Sequence, residues 1–209
     1  FIFSSTAAVY GNPIYNPIDE EHPTKPINHY GFTKLSIENY LACISKMESI
    51  EYVSLRYFNA AGYSNKDSLI KFKEKDPQNL FPIIMEVANG TREFLEVYGN
   101  DYHTKDGTCI RDYIHVLDLA DAHIKALENL GRHKDLTLNL SGGNSCSVFD
   151  VIKSSEAHMQ KKIKYSFTAR REGDPEILIS SYNKAREILD WEPKHSSLDE
   201  IVSSMWNIY

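Results

Sequence analysis

One opening stretch decides the fold: Phe1-Ile-Phe-Ser-Ser-Thr6, then a helical segment from about Tyr30 to Met47, then Glu51-Tyr-Val-Ser-Leu-Arg-Tyr57. Phe1 to Phe3 is a short apolar run closed by small hydroxyl residues, the way a buried parallel strand ends. Leu41, Ile44 and Met47 recur at helical spacing, and the run 51–57 enters Asn59-Ala-Ala-Gly62 as a second strand enters a turn. Strand, helix and strand in this order make a parallel crossover unit, which places the chain in the α/β class.

Outward from this unit, Val9-Tyr10-Gly11-Asn12-Pro13 reads as a turn, and Pro23 and Pro26 keep the next loop extended. The polar, lysine-rich stretch from Tyr63 to Pro82 reads as a turn-like passage into a second region that closes over a ligand. Beyond it the pattern predicts short strands at 96–98, 114–116, 136–140 and 163–167, and helices at 117–130, 148–159 and 183–189. A last helix carries Leu198, Ile201, Val202, Met205 and Trp206 as an amphipathic stripe. Ser141-Gly-Gly-Asn-Ser145 lacks the third spaced glycine of a dinucleotide loop and reads as a tight turn into the following helix. The expected division is a first part of residues 1–62, to which 110–130 return, and a smaller α/β substrate-binding region of 63–109 and 131–209.

The chemistry begins with Ser4-Ser5-Thr6 at a strand's carboxyl end, where α/β sites sit, and Tyr30-x-x-x-Lys34 on the next helix. Residues four apart share a helix face. A free phenol, with a pKa of about 10, is a poor base at neutral pH. A nearby ammonium stabilises a phenolate and brings such a group toward its working range. Hydroxyl, phenol and ammonium together make a redox site for alcohols. Arg111, at the head of Arg-Asp-Tyr-Ile-His115, and the turn Arg170-Arg-Glu-Gly-Asp174 suit a diphosphate, because a guanidinium donates two parallel hydrogen bonds. Asn59 and Asn79 can bond phosphate or base edges, though asparagine is equally at home in a turn.

Composition narrows the classes. The 209 residues carry a formal charge of -6 with both signs interspersed, unlike the clustered Lys and Arg of a nucleic-acid footprint. Cys43, Cys109 and Cys146 are odd in number and lack a Cys-x-x-Cys pattern, so a reduced, cytoplasmic chain is expected. No apolar run approaches the ~20 residues of a membrane helix, and no signal peptide is visible. The eight histidines show no ligand spacing, so no metal is expected, and His115 and His123 read as packing or surface residues.

Several segments carry a resemblance. Phe3-Ser-Ser-Thr-Ala-Ala-Val-Tyr-Gly11, Tyr30-Gly-Phe-Thr-Lys34, Arg56-Tyr-Phe-Asn-Ala-Ala-Gly62, Tyr98-Gly-Asn-Asp-Tyr-His-Thr-Lys-Asp-Gly-Thr108, Arg111-Asp-Tyr-Ile-His-Val116, Asp118-Leu-Ala-Asp-Ala-His123 and Arg170-Arg-Glu-Gly-Asp174 follow in order along nearly the whole chain. They resemble the UDP-glucose 4-epimerases of the extended short-chain dehydrogenase/reductase superfamily. The resemblance implies the C-terminal part of a doubly wound, Rossmann-like parallel sheet, NAD as cofactor, UDP-glucose and UDP-galactose as substrates, and a homodimer. By position it implies Tyr30 as proton acceptor and donor, Lys34 on the nicotinamide ribose, Thr6 at the sugar 4-hydroxyl and Phe58 along the nicotinamide. Asn59, Asn79, Leu80, Glu96, Val97, Tyr98, Arg111, Arg171 and Asp174 fall where the family holds the UDP-sugar. Nucleotide-sugar dehydratases of the same fold carry Asp-Glu where this chain has Ala7-Ala8, and UDP-xylose-forming decarboxylases carry Glu at Ala8. Removing water needs that acid, which favours epimerisation. The family's glycine-rich loop and first strands, roughly its first third, have no counterpart here, so a chain lacking the N-terminal part is expected.

Overall fold

The computed structural model describes residues 1–64 and 73–209. Residues 65–72 of the expected passage from Tyr63 to Pro82 therefore lie outside the described residues. β1 (Ile2–Thr6) runs parallel to β2 (Tyr52–Tyr57), joined by α1 (His29–Met47). Asn28 starts α1 by accepting a hydrogen bond from the Gly31 amide at 2.8 Å. Gly31 is required for the approach of α1 to the sheet end, because a Cβ there would stand 2.3 Å from the Ala8 carbonyl oxygen.

β2 is buried along most of its length, and Val53 and Leu55 are fully buried. Each such side chain contributes about 1.5–3 kcal/mol through burial. β2 also pairs in parallel with β6 (Asp135–Leu140), giving the sheet order β1-β2-β6. The segment 131–209, expected in the substrate-binding region, thus sends one strand into the first sheet. Leu119, Ala122 and Ala126 of α3 (Val116–Glu128) share one core with β2, β6 and Trp191.

The second sheet is built on β5 (Ile110–His115), which starts four residues before the strand expected at 114–116. It pairs in parallel with β3 (Asn59–Ala61) and β9 (Ile177–Leu178), and antiparallel with β7 (Ser145–Ser147). The turn at 141–145 accordingly leads into a short strand before α4 (Val148–Met159), and not directly into the helix. A Cβ at Gly142 would stand 2.0 Å from the Tyr113 carbonyl oxygen, so the close approach requires glycine. A third pair, β4 (Leu95–Tyr98) with β8 (Tyr165–Thr168), lies beside α2 (Leu80–Asn89).

The sequence reading contains no helix at α2. Pro82, expected to close the turn-like passage, sits in the first turn of the helix, where proline forfeits no intrahelical bond. α5 (Asn183–Leu189) and α6 (Leu198–Trp206) fall where the periodicity puts them. Residues of α2, α4 and α6 with Leu95, Val97 and Tyr113 form a second core.

Candidate active site

The α1 face that meets the sheet carries Tyr30, Lys34 and Glu38 at four-residue steps. Glu38 is buried and takes a two-pronged contact from Arg56 of β2, with Nε 3.0 Å from Oε1 and Nη2 2.6 Å from Oε2. The Ser5 hydroxyl of β1 also donates to Glu38. Arg56 Nη1 donates to the Tyr10 oxygen at 2.8 Å, and Tyr10 donates to Asn139 of β6 at 2.6 Å. Burial pushes the Tyr10 phenol up to about 12, so it stays a protonated donor in this chain of bonds. Three strands and α1 are therefore locked in one height relation.

That relation sets Tyr30 and Lys34 at the carboxyl end of β1. Lys34 Nζ donates to the Ser4 carbonyl oxygen at 2.8 Å and lies 5.7 Å from the centre of the Tyr30 ring. Tyr30 is 54% exposed, and its hydroxyl has no hydrogen bond among the described residues. Thr6 ends β1 and its hydroxyl oxygen accepts from the Ala8 amide at 3.2 Å, which leaves its own proton available to a ligand.

Thr6 and Tyr30 open onto a cavity of about 610 Å³. The same cavity is lined by Phe58, Asn59, Asn79, Leu80, Glu96, Val97, Tyr98, Arg111, Arg171 and Asp174, so every residue grouped in the sequence reading as substrate-binding borders one space. Lys34 does not line it and stands behind Tyr30. Tyr63, Phe81, Cys109, Tyr113, Val148 and Met205 also line it and were missed. Tyr113 was legible, because it lies two residues from Arg111 on the same face of a strand. The others come from turns and helices whose approach to the site leaves no local pattern.

The polar end of the cavity is built for an anion. Arg111 is 7% exposed; Nη1 donates to the carbonyl oxygens of Ile110 at 2.9 Å and Glu176 at 3.4 Å. Its Nη2 is buried without a hydrogen bond, the Asp174 carboxylate being 3.7 Å away. A buried guanidinium nitrogen without a hydrogen bond is costly unless a ligand oxygen meets it. The N-terminus of α2 faces the same space. Asn79 gives it no side-chain cap, and the Leu80 and Phe81 amides have no acceptor within the helix. Arg171 stacks over the Tyr98 ring at 4.3 Å. Arg170, by contrast, turns away to Asp101, with Nε 2.7 Å from the carboxylate. Asn59 Nδ2 donates to the Asp112 carbonyl at 2.7 Å, so its amide oxygen remains to meet a ligand.

Among the described residues no group of three or more His, Cys, Asp and Glu could hold a metal, and no helix is long and apolar enough to cross a membrane. His115 is buried and caps α3, accepting from the Leu117 amide at 3.1 Å.

A parallel sheet ending in Thr6, a helix-borne Tyr-x-x-x-Lys and an anion-binding cavity beside them define a Rossmann-like α/β protein of the short-chain dehydrogenase/reductase type. The chain belongs to the family whose model is described as GDP-mannose 4,6 dehydratase, which matches residues 1–205. Among curated relatives it is similar to a UDP-glucose 4-epimerase of Halalkalibacterium halodurans, with 45% identity over 99% of this chain and 62% of the relative. Among solved structures it is similar to UDP-glucose 4-epimerase from Brucella ovis in complex with NAD, at 40% identity and a TM-score of 0.93, covering 100% of this chain and 65% of that one. It is also similar to the enzyme from Bifidobacterium longum in complex with NAD+ and UDP, at 38% identity and a TM-score of 0.91, covering 99% of this chain and 62% of that one. The chain thus spans about 62% of the length of the curated relatives it matches.

Proposed function

We propose that this chain carries the reaction centre and UDP site of an NAD-dependent UDP-glucose 4-epimerase, which interconverts UDP-glucose and UDP-galactose. The observation that carries the reading is the buried Arg111 Nη2, without a hydrogen bond and 3.7 Å from the Asp174 carboxylate, in the same cavity as the free Tyr30 hydroxyl. One end is ready for a diphosphate and the other for a sugar alcohol.

The residues fit a nicotinamide riboside beside the sugar. Tyr30 offers a free phenol, Lys34 a half-buried ammonium fixed by Ser4, and Phe58 an apolar wall. When bound, NAD supplies the acceptor, and then the donor, of the two electrons exchanged with sugar carbon 4. Tyr30 takes the proton of the 4-hydroxyl as a 4-keto sugar forms and gives it back as the alcohol is restored. Thr6 donates a hydrogen bond to the same oxygen. Lys34 holds its ammonium 5.7 Å from the centre of the Tyr30 ring. Arg111, Arg171 and the amides opening α2 hold the diphosphate, while Asn59, Asn79, Glu96, Val97, Tyr98 and Asp174 border the rest of the nucleotide sugar. The keto sugar turns about this anchor, and the electrons return to its opposite face. Binding energy from the remote UDP serves the reacting carbon.

Ala7 and Ala8 bring no acid next to Thr6, which favours epimerisation over loss of water. Three free cysteines among the described residues suit a reducing, cytoplasmic setting, and the expected assembly is a homodimer. The test is incubation of the purified protein with NAD and UDP-galactose, with chromatographic assay of UDP-glucose. Appearance of UDP-glucose supports the reading; a 4-keto-6-deoxy product would assign a dehydratase instead.

A further inference from the structure

Tyr57 closes β2 opposite Thr6 of β1. Its hydroxyl donates to Ser4 Oγ at 2.7 Å, and the same oxygen lies 2.6 Å from Nε2 of His123 on α3. Ser4 Oγ is itself 3.4 Å from that nitrogen. The other ring nitrogen, Nδ1, is 2.7 Å from the Leu119 carbonyl oxygen. A carbonyl only accepts, so Nδ1 carries a proton whatever the charge of the ring. Nε2 is left to face the phenol.

Ser4 is thereby held at both ends. Its hydroxyl is gripped by Tyr57 and His123, and its carbonyl takes the Lys34 ammonium at 2.8 Å. The ammonium in turn stands 5.7 Å from the Tyr30 ring centre. A continuous run of bonds joins α3 to α1 across the ends of two strands. Ser4 itself is exposed, where water competes with any weak contact. The half-buried ring of His123 and the half-buried Tyr57 give the serine partners that water does not displace easily.

We propose that His123 is a positioning residue for this site, acting through Tyr57 and Ser4 to fix the place of the Lys34 ammonium behind Tyr30. The proposal rests on the epimerase reading of the site, but it adds an element, α3, that borders the cavity only through Val116. Two proton arrangements are open to the run. A neutral His123 accepts the Tyr57 proton at Nε2, and the Ser4 hydroxyl then donates to the Tyr57 oxygen. A charged His123 donates from Nε2 and turns the Tyr57 proton to Ser4. In both, Tyr57 and Ser4 keep their separation.

The test compares His123→Phe, His123→Gln and Tyr57→Phe in the full chain. The glutamine amide oxygen restores an acceptor near the position of Nε2, whereas phenylalanine keeps the ring's bulk without it. The 15N resonance of the Lys34 ammonium is expected to shift in His123→Phe and in Tyr57→Phe and to return toward the parent value in His123→Gln. UDP affinity is expected to stay within about twofold, because no diphosphate contact changes. Where the parent turns over UDP-galactose, His123→Phe is expected to lower kcat by about tenfold or more, as loss of one charge-linked hydrogen bond implies. KM is expected to hold, with partial rescue by glutamine. A Lys34 resonance unmoved by His123→Phe overturns the proposal whether or not the parent is active. So does a histidine spectrum showing His123 protonated at Nε2 alone. A Lys34 shift in the variants of a parent that shows no turnover upholds the positioning run and faults the epimerase reading instead.

Discussion

Arg111 and Tyr30 place opposite demands on a ligand, and each can be tested by one substitution. Arg111 keeps a buried nitrogen without a hydrogen-bond partner, so its removal costs ligand affinity more than it costs the fold. Arg111→Ala is expected to weaken UDP binding by roughly 10–100-fold, the value of one or two charge-assisted hydrogen bonds; calorimetric titration of UDP measures it, and unchanged affinity would remove Arg111 from the site. Tyr30→Phe deletes only an exposed hydroxyl that bonds nothing in the described chain. It is expected to leave the circular dichroism spectrum and UDP affinity unaltered while lowering turnover by about 10²–10⁴-fold. Near-parent rates would sink its role as acid and base. Both residues stand out in the sequence because their chemistry is tied to residue type and spacing. Glu38 does not, since its meaning comes from Arg56, eighteen residues on and in another element. Arg170 was read together with Arg171, but neighbours in a turn face different ways, and only Arg171 reaches the cavity.

At the level of elements, α1 matters through its anchorage. The Arg56–Glu38 pair is buried on both sides and also holds Ser5 and Tyr10. Breaking one partner strands a charge, so Arg56→Met is expected to cost about 3–5 kcal/mol in urea unfolding. The double variant Arg56→Met/Glu38→Leu is expected to recover much of that loss; additive losses would contradict the stranded-charge account. Elements with a clear period, α1, α3, α4, α5 and α6, were legible, as was β2. α2 was not, because Pro82 masks a first turn that tolerates it, and β3, β7 and β9 are two or three residues long, too short for any period to develop. Such strands exist because β5 offers them a ladder, a long-range cause invisible to a local reading.

Over the whole molecule, the site is where two sheets and the α2 layer converge, and β5 gives Tyr113 to one core and Ile114 to the other. Its inward neighbour to Arg111, Asp112, is 2% exposed, and one carboxylate oxygen has no partner. Burial pushes the Asp112 carboxyl up to about 6, against an unfolded value of about 3.9. The folded state therefore binds the extra proton between these values. The stabilisation is full below about 4 and is lost as pH rises through about 6. Asp112→Asn is expected to flatten that part of the stability–pH curve and, at pH 7.5, to exceed the parent by up to roughly 2–3 kcal/mol. Urea unfolding at pH 4, 6 and 7.5 checks it, and an undiminished slope would show that another group carries the titration.

The opening of α2 has one more consequence. Pro82 has no amide hydrogen, and the Ile83 amide is tied to the Asn79 carbonyl at 3.2 Å, so among the described residues the Leu80 and Phe81 amides of that turn are left without an acceptor. Deuterium uptake at two adjacent residues then becomes an occupancy gauge. It runs fast in the empty protein and slows in step with saturation by UDP, with no label, cofactor or turnover needed to read it.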